Sequence, residues 1–472
     1  MSVEMKNVSF TYEGCEKKAL IDFDLFVKTG EFVVLAGESG CGKSTVTRLI
    51  NATSPYFFKG KPEGEILIEG KNIKEIKRYE LASMVGSVFQ NPRTQFFNTD
   101  TDSEIAFGLE NQGVGTETIN TRIHEVSDRL GMEKLLGRDI FKLSGGEKQK
   151  IAFASVYAMN PDIYVLDEPS SNLDEAGIEE LKKCLALVKE EGKTVVIAEH
   201  RLYYLTELAD RFVYIKEGHL TKEFTSEEFK MLPDGKLKEM GLRSTTFSPV
   251  SSNGEAFTDV SEEGALRLDS ICLKREGRIL MSDLNLQFRK GHVYGIIGRN
   301  GVGKTTLLRT LSGLHKEYDG VITEHGVTLK SKQLKKRVYL VMQDVNYQLF
   351  GESVESECKL GSKKTQEEKI VEALKSTELL NLRERHPNTL SGGQKQRLSV
   401  AVSMVYDKDI LLFDEPTSGL DGKNMKRISN IIKELASRGK YVIVVSHDHE
   451  FLGECCDHVI DLEHKPHSVA YD

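Results

Sequence analysis

No stretch of the 472-residue chain approaches the run of about 18 apolar residues that a bilayer-spanning helix needs. The best apolar runs, Phe32–Ala36, 163–166 and 442–445, have the length of strands. A basic segment followed by an apolar one is missing at the N-terminus, so no export signal is visible and a cytosolic address is expected. Cysteine is scarce and odd in number: seven residues, no CxxC pair, and only Cys455 and Cys456 adjacent. That argues against both a disulfide framework and a zinc site and leaves reduced thiols. Positive charge is not in excess either. A net charge of −8 disfavours a broad grip on a phosphate backbone, and nucleic acid is not expected as a partner.

What remains is an ordinary globular composition, 39% hydrophobic and 29% charged, which fits neither a disordered chain nor a membrane-embedded one. At about 100–200 residues per domain the length predicts two to four domains. An internal repeat selects two. GESGCGKST at 37–45 recurs as GRNGVGKTT at 298–306, and LSGGEKQK at 143–150 recurs as LSGGQKQR at 390–397. The second pair is offset by 390 − 143 = 247 residues, and the same offset relates VLDEPSSNLD to LFDEPTSGLD and His200 to His447. Such a shared register means a duplicated domain. Residues 244–264, dense in Ser, Thr, Gly and Glu and without helical or strand period, read as a linker. The expected division is a first domain over 1–229, a tail and linker over 230–264, and a second domain over 265–472.

Each glycine-rich motif follows a strand-like run and leads into a helical pattern, the context of a phosphate-binding loop. Gly37, Gly40 and Gly42, with Gly298, Gly301 and Gly303, let successive backbone N–H groups converge on phosphate oxygens. Lys43 and Lys304 neutralise the phosphates of ATP, and Ser44 and Thr305 offer a hydroxyl to Mg²⁺, with Thr45 and Thr306 beside them. The apolar runs 163–166 and 410–413 end in Asp167–Glu168 and Asp414–Glu415, carboxylates at the tip of a buried parallel strand. Asp167 and Asp414 are expected on Mg²⁺, and Glu168 and Glu415 at the attacking water. Cys41, within the first loop and close to a helix N-terminus, is either a filler or a thiol of lowered pKa.

LSGG[EQ]KQ[KR] shortly before the DEP carboxylates resembles the signature of the ATP-binding-cassette ATPases, and the resemblance spans nearly the whole chain. It implies an α/β fold of two P-loop NTPase domains. Each would have a mainly parallel core sheet flanked by helices, a helical signature subdomain and an antiparallel β part. In that family two domains pair head to tail. By that carry-over Ser391, Gly392 and Gly393 complete the site of Lys43, and Ser144, Gly145 and Gly146 that of Lys304. Gln90 and Gln343 match the family's glutamine at Mg²⁺ and the water, His200 and His447 its γ-phosphate switch, and Tyr12 its adenine-stacking aromatic. Arg275 stands at the place equivalent to Tyr12, a departure from the pattern that predicts a weaker or altered second site.

The sequences after each glutamine, QNPRTQFF from Gln90 and QDVNYQLF from Gln343, resemble the ATPases of energy-coupling-factor transporters, as do AFGLEN at 106–111 and the EHRL and SHDHEFL segments. That class takes up vitamins or transition metals. It implies a peripheral position on the cytoplasmic face of the membrane, with integral membrane partners: a transmembrane coupling protein and a substrate-binding component. Phe96, Phe97, Leu349 and Phe350 are then candidates for the floor of a groove that receives a partner helix. Tandem sugar-importer ATPases are the nearer rival, and against them both halves retain the signature, the glutamate and the histidine. Ribosome-associated tandem ATPases resemble SHDHEFL but carry a longer, strongly basic helical linker, whereas this linker is short and acidic.

Overall fold

The computed structural model describes residues 2–250, 265–360 and 367–463. The chain divides into two compact units, Met1–Thr246 with Asp421–Lys423, and Phe247–Leu420 with Asn424–Asp472. The linker expected over 230–264 lies partly outside the described residues, from 251 to 264, and so does its junction with the second domain.

The first unit is built on a six-stranded sheet. Its parallel strands run in the order Arg211–Lys216, Phe32–Ala36, Thr194–Ala198, Ile163–Asp167 and Val85–Val88, with His219–Thr225 antiparallel on one edge. Phe32–Ala36 and Thr194–Ala198 are buried at every residue, because helices cover both faces of a parallel sheet. That explains why these strands read as unbroken apolar runs. A separate antiparallel sheet sets Val3–Tyr12 between Leu20–Val27 and Gly60–Ile68. Helices Thr101–Asn111, Thr116–Leu130 and Gly145–Ala158 form a helical part whose apolar faces join the main core.

The second unit repeats this plan: among the described residues its sheet has five parallel strands, ordered Val338–Val341, Ile410–Asp414, Tyr441–Val445, Val293–Ile297 and His458–Asp461. Its antiparallel sheet sets Leu266–Arg275 between Arg278–Phe288 and Tyr318–Glu324. Among the described residues its helical part has the six-residue Val354–Lys359 where the first unit has the eleven-residue Thr101–Asn111.

The first unit also continues beyond the expected boundary at 229. Helix Asp234–Glu239 follows, and Leu237, Met240 and Leu242 are buried in that unit's core, with the Tyr214 hydroxyl donating to the Met240 carbonyl at 3.0 Å. Three apolar side chains spaced through MLPDGKLKEMGL anchor it, each full burial contributing about 1.5–3 kcal/mol.

Candidate active sites

In each unit a central strand runs into a glycine loop and then into a helix, Lys43–Ile50 or Lys304–Leu311. The residue at the turn is glycine in both, Gly42 at φ +117° and Gly303 at φ +116°. An L side chain rarely adopts that conformation. At Gly42 space forbids one as well, for a Cβ would meet the Ala19 carbonyl oxygen at 2.9 Å. Lys43 is 3% exposed; its ammonium donates to the carbonyls of Gly37 at 2.9 Å and Glu38 at 3.1 Å. Lys304 does the same with Gly298 at 2.6 Å and Arg299 at 2.9 Å. Each cation is thus held over its loop, where the helix N-terminus also favours an anion.

Ser44 Oγ donates to Asp167 Oδ1 at 2.8 Å, and Thr305 Oγ1 to Asp414 Oδ2 at 2.9 Å. Each pair sets a hydroxyl beside a carboxylate at the end of a buried strand, the hard oxygen donors that suit Mg²⁺. Burial, with the neighbouring Glu168 charge, pushes the Asp167 carboxyl up, and burial pushes up Asp414. A carboxylate kept this short of solvation gains from a cation.

Glu168 and Glu415 come next and both adopt left-handed backbone, φ +46° and +50°. Such conformations cost on the order of 1 kcal/mol and persist where surroundings fix them. Here the Glu168 N–H donates to the Ala198 carbonyl at 2.8 Å and the Glu415 N–H to that of Val445 at 2.9 Å. Glu168 Oε1 lies 3.2 Å from His200 Nε2, Gln90 Nε2 donates to Glu168 Oε2 at 2.8 Å, and Lys43 Nζ is 3.4 Å from His200 Nε2. Burial works to raise the Glu168 carboxyl, but His200 and Lys43 outweigh it and hold it below its ordinary range. That direction favours the carboxylate form, the form a general base needs.

In the second unit His447 Nε2 is 3.6 Å from Glu415 Oε1 and 3.0 Å from Asn300 Oδ1. Glu415 Oε2 accepts from Ser446 Oγ at 3.0 Å and from the His447 N–H at 3.3 Å. Gln343 follows strand Val338–Val341 as Gln90 follows Val85–Val88.

Tyr12 is half-buried and packs edge-on against Phe10 at 4.9 Å. Its hydroxyl lies 3.1 Å from Thr45 Oγ1 and accepts from Arg48 at 3.2 Å. Arg275 is 68% exposed and pairs only loosely with Glu276, at 4.0 Å. Thr306, beside Thr305, lies in the first turn of its helix. Ser144 caps helix Gly145–Ala158 and Ser391 caps Gly392–Tyr406, each in a reciprocal capping box, with Glu147 in the first and Gln394 in the second. The boxes place Gly145–Gly146 and Gly392–Gly393 in the first turn, where free N–H groups point outward.

Cys41 is 5% exposed, and burial pushes its thiol up despite the nearby Lys43. The reading of a low-pKa thiol is thereby corrected: the desolvated side chain outweighs the helix terminus. Of the four proposed groove residues, Leu349 is buried in the second unit's helical core and Phe96 packs against the first unit's core. Phe97 and Phe350 stay 75% and 77% exposed. Phe97 stacks on Phe107 at 4.8 Å beside a cavity of about 300 Å³ lined by Leu81, Val85, Phe107 and Met159.

Sequence reasoning missed what holds these tips. Buried Glu104 accepts from the N–H groups of Phe97 and Asn98 at 3.0 and 2.8 Å, and buried Glu357 from those of Phe350 and Gly351 at 2.7 and 2.5 Å. Each glutamate lies seven residues after its phenylalanine, a spacing that was available as a signal. The second glutamines, Gln95 and Gln348, also brace the loop, accepting from the N–H of Phe89 at 3.2 Å and of Met342 at 3.0 Å.

Comparisons with known proteins bear on the family of the chain. The ABC transporter family profile matches residues 20–171 and 281–418. A Treponema denticola protein named as an ABC transporter ATP-binding protein is 47% identical over 464 residues, covering 98% of this chain and 95% of its own. A Bacillus subtilis ATP-binding protein named for HMP/thiamine import is 31% identical over 487 residues, covering 97% of this chain and 89% of its own. Among solved structures, an archaeal ribosome recycling factor, aABCE1, has a TM-score of 0.62 at 23% identity over 96% of this chain and 87% of that one, a likeness of fold alone.

Proposed function

The chain belongs to the ABC transporter family as a tandem ATPase, and from that premise we propose that it powers an importer of the energy-coupling-factor class. The cargo in this reading is a vitamin or a metal ion. It passes through separate membrane subunits, a transmembrane coupling protein and a substrate-binding component, with this chain peripheral on the cytoplasmic face. Support for a vitamin comes from the relative named for HMP/thiamine import. Support for docking to a membrane subunit comes from Phe97 and Phe350, two large apolar side chains presented to solvent on loops that buried glutamates hold in place.

The observation that carries the chemical assignment is the duplicated constellation of hydroxyl, paired carboxylate, left-handed glutamate and histidine. In this reading Lys43 and Lys304 bind the phosphates of ATP, and Glu168 and Glu415 orient and polarise the attacking water. His200 and His447 stand at the γ-phosphate, and Tyr12 receives the adenine. Mg²⁺, held by Ser44, Asp167 and Gln90 in one unit and by Thr305, Asp414 and Gln343 in the other, supplies charge compensation. The signature residues Ser144, Gly145 and Gly146, with Ser391, Gly392 and Gly393, offer capped helix N-termini to phosphate oxygens. ATP does work on the partners by binding one arrangement of the halves better than another.

The test is copurification of the full chain with membrane proteins in mild detergent, wild type against Phe97→Asp/Phe350→Asp. The double variant is expected to lose its membrane partners and keep ATP binding. Partners retained by the variant would remove the docking assignment. A membrane partner set without a substrate-binding component would remove the energy-coupling-factor assignment.

A further inference from the structure

The segment just before and after each histidine differs between the units, and the difference concerns a buried carboxylate. In the first unit Glu199, 2% exposed, precedes His200. Its Oε1 accepts from the N–H groups of His200 at 2.7 Å and Arg201 at 3.2 Å. Its Oε2 accepts from the Ser170 N–H at 3.3 Å and from the Tyr204 hydroxyl at 2.9 Å. Ser170 is the second residue after Glu168, so one side chain ties the segment behind the glutamate to the segment that carries the histidine. Arg201 adds to the tie by donating to the carbonyls of Ser170 at 3.4 Å and Leu173 at 3.1 Å.

The second unit has serine, Ser446, at the position of Glu199, phenylalanine, Phe451, at that of Tyr204, and aspartate, Asp448, at that of Arg201. Asp448, 4% exposed, accepts from Thr417 Oγ1 at 3.0 Å and from the Phe451 N–H at 3.1 Å. Thr417 stands two residues after Glu415, as Ser170 stands after Glu168. The same two segments are joined by a buried carboxylate in both units, from the residue before the histidine in one and from the residue after it in the other. The tyrosine hydroxyl that donates to Glu199 has no counterpart at Phe451, whose side chain carries no donor. Three coordinated differences at one junction are hard to ascribe to packing alone, because a buried carboxylate costs free energy unless its oxygens are satisfied.

We propose that Glu199 and Asp448 are positioning residues that lock the glutamate and the histidine of their own units into register, setting the approach of His200 to Glu168 and of His447 to Glu415. This rests on the catalytic reading of Glu168 and His200 above. Neither carboxylate touches nucleotide in this scheme; each acts through the loop it holds. Loss of the lock lowers the turnover number and leaves nucleotide binding as it was, since the glycine loop and Lys43 are untouched.

The experiment uses the full chain, with steady-state ATP hydrolysis and nucleotide binding measured side by side. Glu199→Gln keeps the shape but turns an amide N–H toward backbone N–H donors. It is expected to cut kcat about tenfold, with ATP affinity within about twofold of wild type. The triple variant Glu199→Ser/Arg201→Asp/Tyr204→Phe installs the second unit's set in the first and is expected to restore most of the lost turnover. Wild-type kcat in Glu199→Gln overturns the proposal, and so does a folded triple variant as slow as the single one. If Glu199→Gln does not fold, the triple variant decides by itself: near wild-type turnover supports the lock, and a folded but inactive chain refutes it. Glu168→Gln run in parallel separates the two claims. Turnover unchanged there removes the catalytic reading, whereas its loss beside an unaffected Glu199→Gln removes only the lock.

Discussion

The two units agree at the loop lysine and at the hydroxyl–carboxylate pair, and differ at the place of Tyr12, at one residue inside the glycine loop and around the histidine. Lys43 and Lys304 lie on equivalent carbonyls, and Ser44–Asp167 and Thr305–Asp414 match to within 0.1 Å, at 2.8 and 2.9 Å. By contrast, Arg275 stands at the position equivalent to Tyr12, Ser446 at that of Glu199, and Val302 at that of Cys41. His200 stands 3.2 Å from its glutamate and within reach of Lys43; His447 stands 3.6 Å away and leans on Asn300. Duplication has preserved the geometry that phosphoryl transfer demands, because orientation and charge there tolerate little error. Affinity tolerates more, so the differences around Tyr12 and the histidines predict two sites of unequal affinity.

The largest effect should come from removing the polarising carboxylates. Glu168→Gln and Glu415→Gln, made singly, are each expected to lower ATP turnover by about 100-fold or more, the scale of a general base. Steady-state hydrolysis by the full chain is the measurement. If one variant keeps wild-type turnover while the other loses it, the units differ in chemistry and not only in affinity, and the silent one is regulatory.

A smaller effect separates the base sites. Stacking on an aromatic ring contributes about 1–3 kcal/mol, and of the two equivalent positions Tyr12 has a ring where Arg275 has a guanidinium. With Lys304→Ala to silence the second unit, Tyr12→Ala should weaken ATP binding by roughly tenfold or more. Arg275→Ala in a Lys43→Ala chain should change it by less than about threefold, since an exposed guanidinium is not held over the base. Titrations with a fluorescent ATP analogue would read both. Equal affinities in the two lysine backgrounds would erase the predicted inequality.

Much of this was legible from residues alone because the relevant signals are local. Glycines at fixed spacing, an apolar run ending in two carboxylates, and a repeat at constant offset each report backbone geometry that the chain must adopt nearby. The paired hydroxyl and carboxylate, Ser44 with Asp167, followed from two such motifs. What escaped depends on burial, which a motif does not carry. Leu349 reads like Phe350 in QLF but turns inward, and Cys41 reads as a helix-terminal thiol but is desolvated. Glu104 and Glu199 look like surface charges in a list of residues; only the fold shows the backbone N–H groups that each accepts.

The smallest difference is one of stability. Burial raises the carboxyls of Asp167 and Asp414, the aspartates proposed for Mg²⁺, and Asp167 has the Glu168 charge against it as well. An unfolded chain holds these carboxyls at ordinary values, so between the ordinary value and the raised one the folded state binds more protons. Stability of the nucleotide-free chain therefore falls as pH rises through that window and stays lowered above it. Replacing either aspartate by asparagine keeps an oxygen for the Ser44 or Thr305 hydroxyl and removes the buried charge. Thermal melts at about pH 7.5 should then show a rise of about 2 °C for Asp414→Asn and a larger one for Asp167→Asn, with neither rise at about pH 4. Each variant should lose the part of the Mg²⁺–ATP stabilisation that its own unit contributes. A rise for Asp414→Asn equal to that for Asp167→Asn would mean that Glu168 adds no repulsion, and the two hydroxyl–carboxylate pairs would be alike in charge as they are in distance.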